Sequence, residues 1–500
     1  MTTTAPTHAP TQVRRTYGNW VSQRTPGLGN AGLLATGILL LGGIVAMIMM
    51  LTAGLTAALV VAALAVAGFT VVGTPVGVTL VRRIGFTRQS SARAHQGRSG
   101  VFGTSRQPHN RLPGMLGRTT LLERDDAFGN PFVVVKNPRR RGLFTIVARC
   151  VAEGPALQDQ ERLNQWVGGY ATLLGSLSSE RALECAKAIT DTAPDPGGRL
   201  ESMVANARSE NSPDLARAVM DECVRTYSET SSENVTYFEL TFRGRGLSRR
   251  GREDEILSEL ARKVPGILGL LRTAGGGAVE MVSAGELSKV VRMGYDPAAQ
   301  RWLDAAEFAG DPAEVPWDQA GPVADQAGWD HYRHDSGVSV TWEMTTPPRS
   351  AINELALADL LRPDADFTRK RVAIVYRPHT PEDSAKVSEN DSQTANFLAG
   401  NTKKRPTASA KAQIRATEQA REEVATGAAL VRFSVMVTAT VSDPDDLVQA
   451  VSTVESRAGT VPLRLRRCYG SQAAAFATTL PVGFVPWAHT QVPAHVRDYL

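Results

Sequence analysis

Between Arg24 and Arg82 the sequence contains no charged residue and no histidine over 57 consecutive positions. This absence argues against two helices buried in a soluble core, since such cores rarely extend so far without a charged residue. It also argues against a cleaved signal peptide, because the apolar run begins late and is too long. One spanning helix needs roughly 20 apolar residues. The sequence therefore predicts a transmembrane helical hairpin over residues 31–80, with spans near 31–51 and 55–80.

Cysteine is also scarce, and no two cysteines have the CxxC spacing. The four cysteines, which are far apart, are Cys150, Cys185, Cys223 and Cys468. This pattern excludes a disulfide framework and a zinc ribbon, and it is typical of a reducing compartment. We expect these cysteines to be small core residues.

Sequence motifs for nucleotide binding and hydrolysis are missing. The phosphate-binding loop GxxxxGK[ST], the Rossmann fingerprint, GxSxG and HExxH do not occur. The nearest candidate is the glycine-rich stretch TAGGGAVEMVSAGELSK at residues 273–289. It has no Lys-Ser/Thr after a correctly spaced glycine, so it is interpreted as a flexible turn before a strand. We therefore predict no cofactor and no enzymatic activity.

A histidine pair is the second candidate for chemistry. His331 and His334 are three residues apart, and Asp330 and Asp335 flank them. A metal site would need at least one more convergent ligand. Residues three apart at the start of a strand also point to opposite faces. The sequence therefore predicts solvated loop histidines and no metal site.

Charge is distributed unevenly along the chain. The net charge is +5 overall, whereas residues 119–500 alone carry −6. The positive excess lies on both sides of the apolar run, where no acidic residue interrupts it. Basic residues beside membrane spans favour the cytoplasm, so both termini and the soluble body are predicted to be cytoplasmic. The arginines predicted to lie at an anionic lipid surface are Arg14, Arg15, Arg24, Arg82, Arg83, Arg88, Arg93 and Arg98.

The fold class predicted from the sequence is α+β, with the helical hairpin followed by cytoplasmic α/β sandwich domains. In chain order the predicted parts are a disordered basic tail (1–30), the transmembrane hairpin (31–80), a basic juxtamembrane linker (81–118), a first α+β domain (119–245), a helical and loop connection (246–330) and a second α+β domain (331–500) with a long charged helical insertion (380–428). β-Branched strands and amphipathic helices in the first domain predict helices on one face of an antiparallel sheet. The last domain has the order strand–helix–strand–strand–helix–strand, which is ferredoxin-like.

Several ordered blocks of the sequence resemble a known family. The blocks are RRTYGNWVSQRTPGLGNAGLLATG, the two predicted spans, RLPGMLGRTTLLERDDAFGNPFVVVKNPRRRGLFTIVARC and DTAPDPGGRL. They resemble an actinobacterial family of integral membrane proteins encoded in conjugation or type IV secretion-like gene clusters. The resemblance covers most of the chain and implies a membrane-bound component of such an apparatus.

The C-terminal half is similar to the amino-terminal, non-motor domain of VirB-type conjugation ATPases. In that family a helix and an LP-G turn stand just before the motor, and the residues in those places here are Phe476, Leu480, Pro481 and Gly483. No Walker motor follows before Leu500, so the resemblance implies that a separate chain supplies the ATP-driven step. The predicted docking surfaces for that ATPase are these four residues and the charged helices of residues 380–425.

We therefore expect a non-catalytic scaffold of a type IV secretion-like (conjugation) apparatus, anchored in the cell membrane by two spans. Its expected partners are a conjugation-type ATPase, other apparatus proteins and anionic lipid, within an oligomeric assembly. Nucleic acid is not favoured, because the basic run adjoins a span and lacks interleaved aromatic residues. Two alternatives stay open: a type VII secretion membrane component, and a membrane-tethered enzyme with an unrecognised site.

Overall fold

The structure is a computed structural model that describes residues 32–73, 75–91, 96–98, 110–138, 142–154, 158–194, 204–205, 207–209, 212–228, 232–348, 352–400 and 408–489. Over these ranges the chain has a mixed α+β fold with 14 α-helices and one large antiparallel sheet.

The first three elements are helices, and helices and strands are mixed along the rest of the described chain. The helices are α1 (Gly32–Thr52), α2 (Leu55–Gly73), α3 (Pro75–Ser91), α4 (Gln160–Ser179), α5 (Asp214–Ser228), α6 (Gly244–Leu247), α7 (Glu253–Leu271), α8 (Ala284–Tyr295), α9 (Ala299–Phe308), α10 (Ala358–Leu361), α11 (Pro381–Gly400), α12 (Ala408–Ala425), α13 (Leu447–Thr460) and α14 (Gln472–Thr478). The strands are β1 (Gln96–Arg98), β2 (Thr120–Asp125), β3 (Pro131–Asn137), β4 (Leu143–Val151), β5 (Leu183–Pro194), β6 (Ser232–Arg243), β7 (Ala278–Met281), β8 (Ala324–Ala327), β9 (Tyr332–His334), β10 (Gly337–Thr346), β11 (Arg369–Pro378), β12 (Val431–Val441) and β13 (Arg464–Arg467).

The first two helices form a closely packed hairpin. Gly54, with φ of 90°, reverses the chain between them, which a residue with a side chain rarely does. A Cβ at Gly42 would overlap the Cβ of Ala65, so the helices meet at small residues. Only 6% of the apolar window Ala35–Thr52 is buried, and α1 is long and apolar enough to cross a membrane. The apolar window of α2, Leu55–Thr70, is shorter.

The segment after the hairpin is more ordered than the sequence suggests. The predicted second span runs to residue 80, but α2 ends at Gly73 and α3 begins at Pro75. Proline suits the first position of a helix because no backbone donor is needed there. Within the predicted linker 81–118, the rest of α3, strand β1 and a 3₁₀-helix at Gly114–Arg118 are formed. The predicted linker therefore contains regular structure in the part that is described.

The sheet contains 13 strands, and all strand pairs within it are antiparallel. Its main path follows the order β1-β8-β9-β10-β12-β11-β5-β6-β4-β3-β2, while β13 pairs with β10 and β7 pairs with β4. β1 and β2 are thus the two outer strands of the path.

The sheet consists of two units with the same topology. The first unit is β4-α4-β5-β6-α7-β7, with strands side by side in the order β7-β4-β6-β5. The second is β10-α10-β11-β12-α13-β13, in the order β13-β10-β12-β11. Each unit has the strand–helix–strand–strand–helix–strand order predicted for the second alone. The two units are joined by antiparallel pairing of β5 with β11. This pairing runs from Ala186 opposite Tyr376 to Thr192 opposite Lys370.

One sequence-based boundary changes as a result. Residues 246–330 were predicted to connect two domains, but α7 and β7 lie there and complete the first unit, because β7 pairs with β4. This error arises from long-range pairing, which is invisible in a local pattern.

The core lies on both faces of the sheet. On one face, α4 and α7 cover the first unit through Leu173 and Leu260, and α13 covers the second through Val454. On the other face a single cluster runs across both units, and α8, α9 and α14 cover it. Full burial of one large apolar side chain contributes about 1.5–3 kcal/mol, so this shared cluster holds the two units together.

Candidate functional site

The predicted lipid-facing arginines fall into two groups. Those outside the described residues are Arg14, Arg15, Arg24 and Arg93. Arg82, Arg83 and Arg88 lie on α3 and are exposed, and Arg98 is the last residue of β1. The structure therefore collects three of the predicted arginines on one helix next to the apolar hairpin.

The four predicted docking residues near the C-terminus are buried. Phe476 and Leu480 are both 0% exposed, and Pro481 and Gly483 are buried as well. The Gly483 backbone N–H donates to Oε2 of Glu239 at 2.9 Å. The predicted docking surface at these residues is therefore wrong, because the apolar side chains that suggested it pack into the core.

Charged side chains lie buried in the sheet on the same face. Lys187 of β5 is opposite Glu239 of β6, and Nζ and Oε1 are 2.8 Å apart with both side chains 0% exposed. Nζ is not aligned for a hydrogen bond with any described acceptor, so the two groups form an ion pair by proximity. Nearby, Nε of Arg369 donates to Oδ1 of Asp191 at 2.9 Å. Each of these buried charges has an opposite charge beside it, as burial requires.

Arg371 differs from its charged neighbours. It is 1% exposed and lies opposite Asp191 of β5 and Thr438 of β12. Its three guanidinium nitrogens make no hydrogen bond to any residue that the structure describes. The guanidinium carbon lies 4.5 Å from the centre of the Phe476 ring. Burial lowers the pKa of Arg371 to about 10, so the side chain stays charged at neutral pH.

Hydroxyl pairs mark equivalent places in the two units. Thr145 and Thr241 join β4 to β6 through hydroxyl oxygens 2.9 Å apart. Ser339 and Thr440 join β10 to β12 in the same way at 2.7 Å. Strand pairing gives the same correspondence, because β7 pairs with β4 from Ala148, three residues after Thr145, and β13 pairs with β10 from Trp342, three residues after Ser339.

The two units carry different residues two positions before Thr241 in β6 and two positions before Thr440 in β12. The first unit has Glu239 there, opposite Lys187. The second unit has Thr438, opposite Arg371. The second unit therefore buries a cation at the place where the first buries an ion pair.

The sequence predictions missed this buried charge, although a signal is present. Charged residues interrupt otherwise apolar strand sequences: LECAKAITD contains Glu184, Lys187 and Asp191, VTYFELTF contains Glu239, and basic residues begin RKRVAIVY. Charged residues at inward-facing strand positions are rare unless they have partners. The partners come from sequence-distant strands, so the pattern shows that charge is buried without showing what neutralises it.

His334 is buried, and the prediction of a solvated loop residue is wrong for it. Its Nδ1 is 2.6 Å from the Tyr295 carbonyl oxygen, and its Nε2 is 2.7 Å from Oγ of Ser339. A carbonyl oxygen only accepts, so Nδ1 carries the proton and Nε2 accepts from the hydroxyl. Burial lowers the pKa of His334 to about 3. The unfolded chain takes up this proton near pH 6.5, so the stability that His334 contributes above pH 6.5 is lost as pH falls toward 3.

His331 matches the prediction more closely. Its side chain is 42% exposed and its Nδ1 lies 2.9 Å from Oδ1 of Asp330. Among the residues that the structure describes, no three His, Cys, Asp or Glu side chains converge in a way that could hold a metal ion.

The glycine-rich stretch is a packed connection and not a flexible turn. It leaves α7 through a π-helical turn at Arg272–Gly276 and enters β7. A Cβ at Gly275 would lie 2.9 Å from the Trp166 ring, and a Cβ at Gly277 would overlap the Val151 carbonyl oxygen. Both glycines also have positive φ. They are needed for close packing, which explains the glycine content without a bound phosphate.

Three of the four cysteines are core residues, as predicted. Cys150, Cys185 and Cys468 are buried, and Cys223 is half-buried. Burial raises the pKa of Cys150 to about 11 and also raises that of Cys185. Thiols of this kind stay protonated at neutral pH and are poor nucleophiles.

The predicted charged insertion forms an exposed pair of helices, α11 and α12, here called the charged arm. Small residues lie at its interior, including Ser388 and Ser392 of α11 and Thr417 of α12. Its outer surface carries charged side chains, most of them exposed. The arm leaves the sheet at Pro378 and returns at Val431, which are directly opposite each other.

The first unit carries a second exposed helix at the equivalent place, between its second and third strands. Helix α5 is amphipathic, yet Leu215 is 77% exposed and Val219 is 53% exposed. The chain leaves the sheet at Pro194 and re-enters it at Ser232, and these two residues pair directly opposite each other. Each insertion therefore connects two neighbouring strands that are paired up to the points where the insertion begins and ends.

A cleft of about 320 Å³ lies beside the start of β2, between the 3₁₀-helix Gly114–Arg118 and Trp317. The Trp317 indole N–H donates to the carbonyl oxygen of Thr119 at 3.2 Å. The indole N–H, which is the polar group of the largest side chain in the cleft, therefore already has an acceptor within the protein. The residues that line the cleft do not indicate a reaction.

Comparison with known proteins gives no assignment: no protein-family model matches the sequence, and no curated protein matches it.

Proposed function

We propose that the chain is a membrane-anchored, non-catalytic scaffold of a type IV secretion-like apparatus that holds a separate cytoplasmic ATPase at the inner membrane. The observation that carries this proposal is an outward-facing apolar hairpin attached to one edge of a wide sheet. Buried hydroxyl pairs join neighbouring strands of that sheet. The conjugation context rests on the ordered sequence blocks that resemble the actinobacterial family.

The anchor is proposed to cross the membrane twice. Large apolar side chains of both helices point outward, among them Leu41 at 65% and Leu64 at 67% exposure. A helix in a soluble core would bury such side chains. The 19 residues of α2 span about 28 Å, close to the roughly 30 Å hydrocarbon layer. The exposed arginines on α3 favour a cytoplasmic end for the second span.

Labelling of single cysteines in intact cells tests this topology. In a background with Cys223→Ser, Ala53→Cys, which is exposed at the hairpin tip, should react with a membrane-impermeant maleimide. Leu215→Cys, 77% exposed in the body, should react only after the cells are opened. Labelling of Leu215→Cys in intact cells would contradict a cytoplasmic body.

We place the ATPase-docking surface on the charged arm. The other predicted surface is buried, whereas the arm projects from the sheet and exposes residues such as Glu382 and Lys386. Ionic contacts of this kind steer association and depend on salt. The proposed complex should therefore weaken as the ionic strength rises.

Removal of the arm tests its role with little disturbance to the sheet. Because Pro378 is paired with Val431, an Asn-Gly turn can replace residues 379–430 and still close the β11–β12 hairpin. The matched control replaces residues 195–231 between Pro194 and Ser232. In mild detergent, the neighbouring conjugation-type ATPase should co-purify with the full chain and the control but not with the arm deletion. Equal recovery with all three proteins would place docking elsewhere, and recovery with none would count against the scaffold.

A further inference from the structure

Helix α3 has two faces with different surroundings. Phe86 points at the soluble body, where its ring meets the Trp329 ring edge-on at 5.6 Å between centroids. Trp329 in turn stacks on Tyr469 at 5.9 Å. Gly470 allows this stack, since a Cβ there would lie 2.7 Å from the Trp329 ring. We call Phe86, Trp329 and Tyr469 the aromatic clasp.

The same face of α3 includes Arg82, one helical turn before Phe86. Burial raises the pKa of the Cys468 thiol to about 12, and the nearby guanidiniums of Arg466 and Arg82 oppose that rise. Arg82 therefore lies beside the soluble body. After α3 the chain enters β1, which pairs with β8 at the sheet edge, Gly97 opposite Asp325.

The opposite face of α3 has no such cover. Leu80 and Ile84 are one turn apart and are 52% and 47% exposed. They lie two positions from Arg82 and Phe86, which places them on the other side of the helix. Arg83 and Arg88, both exposed, adjoin them on that side. Exposed apolar residues flanked by arginines are the pattern of a helix lying in a membrane interface.

We propose that α3 is an interfacial helix that lies between the anionic surface of the bilayer and the soluble body, with Leu80, Ile84, Arg83 and Arg88 toward the lipid and the aromatic clasp toward the body. The occupant of the exposed face is lipid because α3 begins at Pro75, directly after the apolar helix α2. Its guanidiniums complement anionic headgroups. This inference rests on the proposed membrane anchor and adds that the body is held in a fixed orientation at the membrane surface.

Fluorescence quenching in vesicles tests the orientation. The full chain, with Cys223→Ser, is reconstituted in phosphatidylcholine vesicles with or without phosphatidylglycerol. A bimane probe is attached at Ile84→Cys or, as the control, at Leu215→Cys. A lipid with a spin label near the headgroup end of its chain should quench the probe at position 84 strongly and the probe at position 215 little.

Charge variants then identify the lipid-facing side. The double substitution Arg83→Gln/Arg88→Gln should reduce quenching at position 84 in anionic vesicles, because two arginines shift the lipid-bound population by roughly 30-fold. Arg82→Gln, on the body side, is the matched control and should leave quenching unchanged. A smaller effect of the double substitution than of the control would overturn the proposal.

Extraction with alkaline carbonate separates failure of this inference from failure of the anchor. A chain that resists extraction while the probe at Ile84→Cys is quenched no more than that at Leu215→Cys keeps the anchor and refutes the interfacial helix. A chain that carbonate releases from the vesicles refutes the anchor itself.

Discussion

Substitution of the two buried cations by methionine should have opposite effects on stability. Lys187 has a carboxylate 2.8 Å away, whereas Arg371 has no hydrogen-bond acceptor within the described parts of the chain. Methionine is similar in length to both side chains and removes the charge without leaving a large cavity. The comparison therefore measures how much a neighbouring carboxylate contributes to the free energy of unfolding when a cation is buried at equivalent positions of the two units.

The expected magnitudes follow from the contacts of each cation. Lys187→Met leaves Glu239 buried without a cation, and removal of one partner of a buried pair costs about 3–5 kcal/mol. Arg371→Met removes a buried charge that has no hydrogen-bond partner among the described residues and is only attracted by Asp191. Replacement of buried charge by apolar groups is neutral or stabilising by about 1–4 kcal/mol. The lost contact with Phe476 offsets at most about 2 kcal/mol. Asp191 keeps its bond to Arg369. Arg371→Met should thus be neutral or stabilise the body by up to about 2 kcal/mol.

Thermal unfolding of the detergent-solubilised chain, followed by tryptophan fluorescence, gives the comparison. One kcal/mol corresponds to about 2–4 °C in a unit of this size, so Lys187→Met should lower Tm by roughly 10 °C and Arg371→Met should not lower it. The double variant Lys187→Met/Glu239→Leu removes both charges and should recover most of the loss. A decrease for Arg371→Met as large as that for Lys187→Met would refute the argument, because it would show that the guanidinium is compensated.

Three further predictions concern single residues. Gly42→Leu should separate α1 from α2 and reduce the yield of monodisperse protein in detergent, whereas Gly43→Leu should not, since a Cβ at Gly43 meets nothing within 4 Å. Gly277→Ala should lower Tm by several degrees, because positive φ and the close carbonyl both oppose a side chain. Protonation of His334 in the unfolded chain should cost the parent about 2 kcal/mol of unfolding free energy at pH 5, so the fall in Tm between pH 6.5 and pH 5 should be smaller in His334→Gln than in the parent chain.

Local pattern was sufficient to predict most of the elements in the two units. The β-branched segment NVTYFELTFR forms strand β6, the amphipathic stripe around Trp166 lies on helix α4, and PFVVVKN forms the adjoining strand β3. In the second unit the charged insertion also appears as two helices. These signals depend on neighbours within one or two turns, which a single sequence contains.

Long-range pairing and burial were not predictable in the same way. Nothing local shows that Ile189 of β5 stands opposite Ala373 of β11, since the two are far apart in sequence and either strand could have been an edge. The apolar segment around Phe476 and Leu480 reads equally well as a docking surface or as core. Its burial follows only once α8, α9 and the sheet are assembled around it.

The antiparallel joint between β5 and β11 determines how this body could serve as a scaffold. Because the two strands run in opposite directions, the insertions that follow them leave the sheet at opposite ends. The eleven strands of the main path place β1, next to the proposed anchor, about 50 Å from β2 at the other edge. The charged arm grows from β11, near the middle of this path. A partner bound there would stand about 25 Å along the sheet from the anchored edge, at a distance fixed by hydrogen-bonded strands and not by a flexible linker.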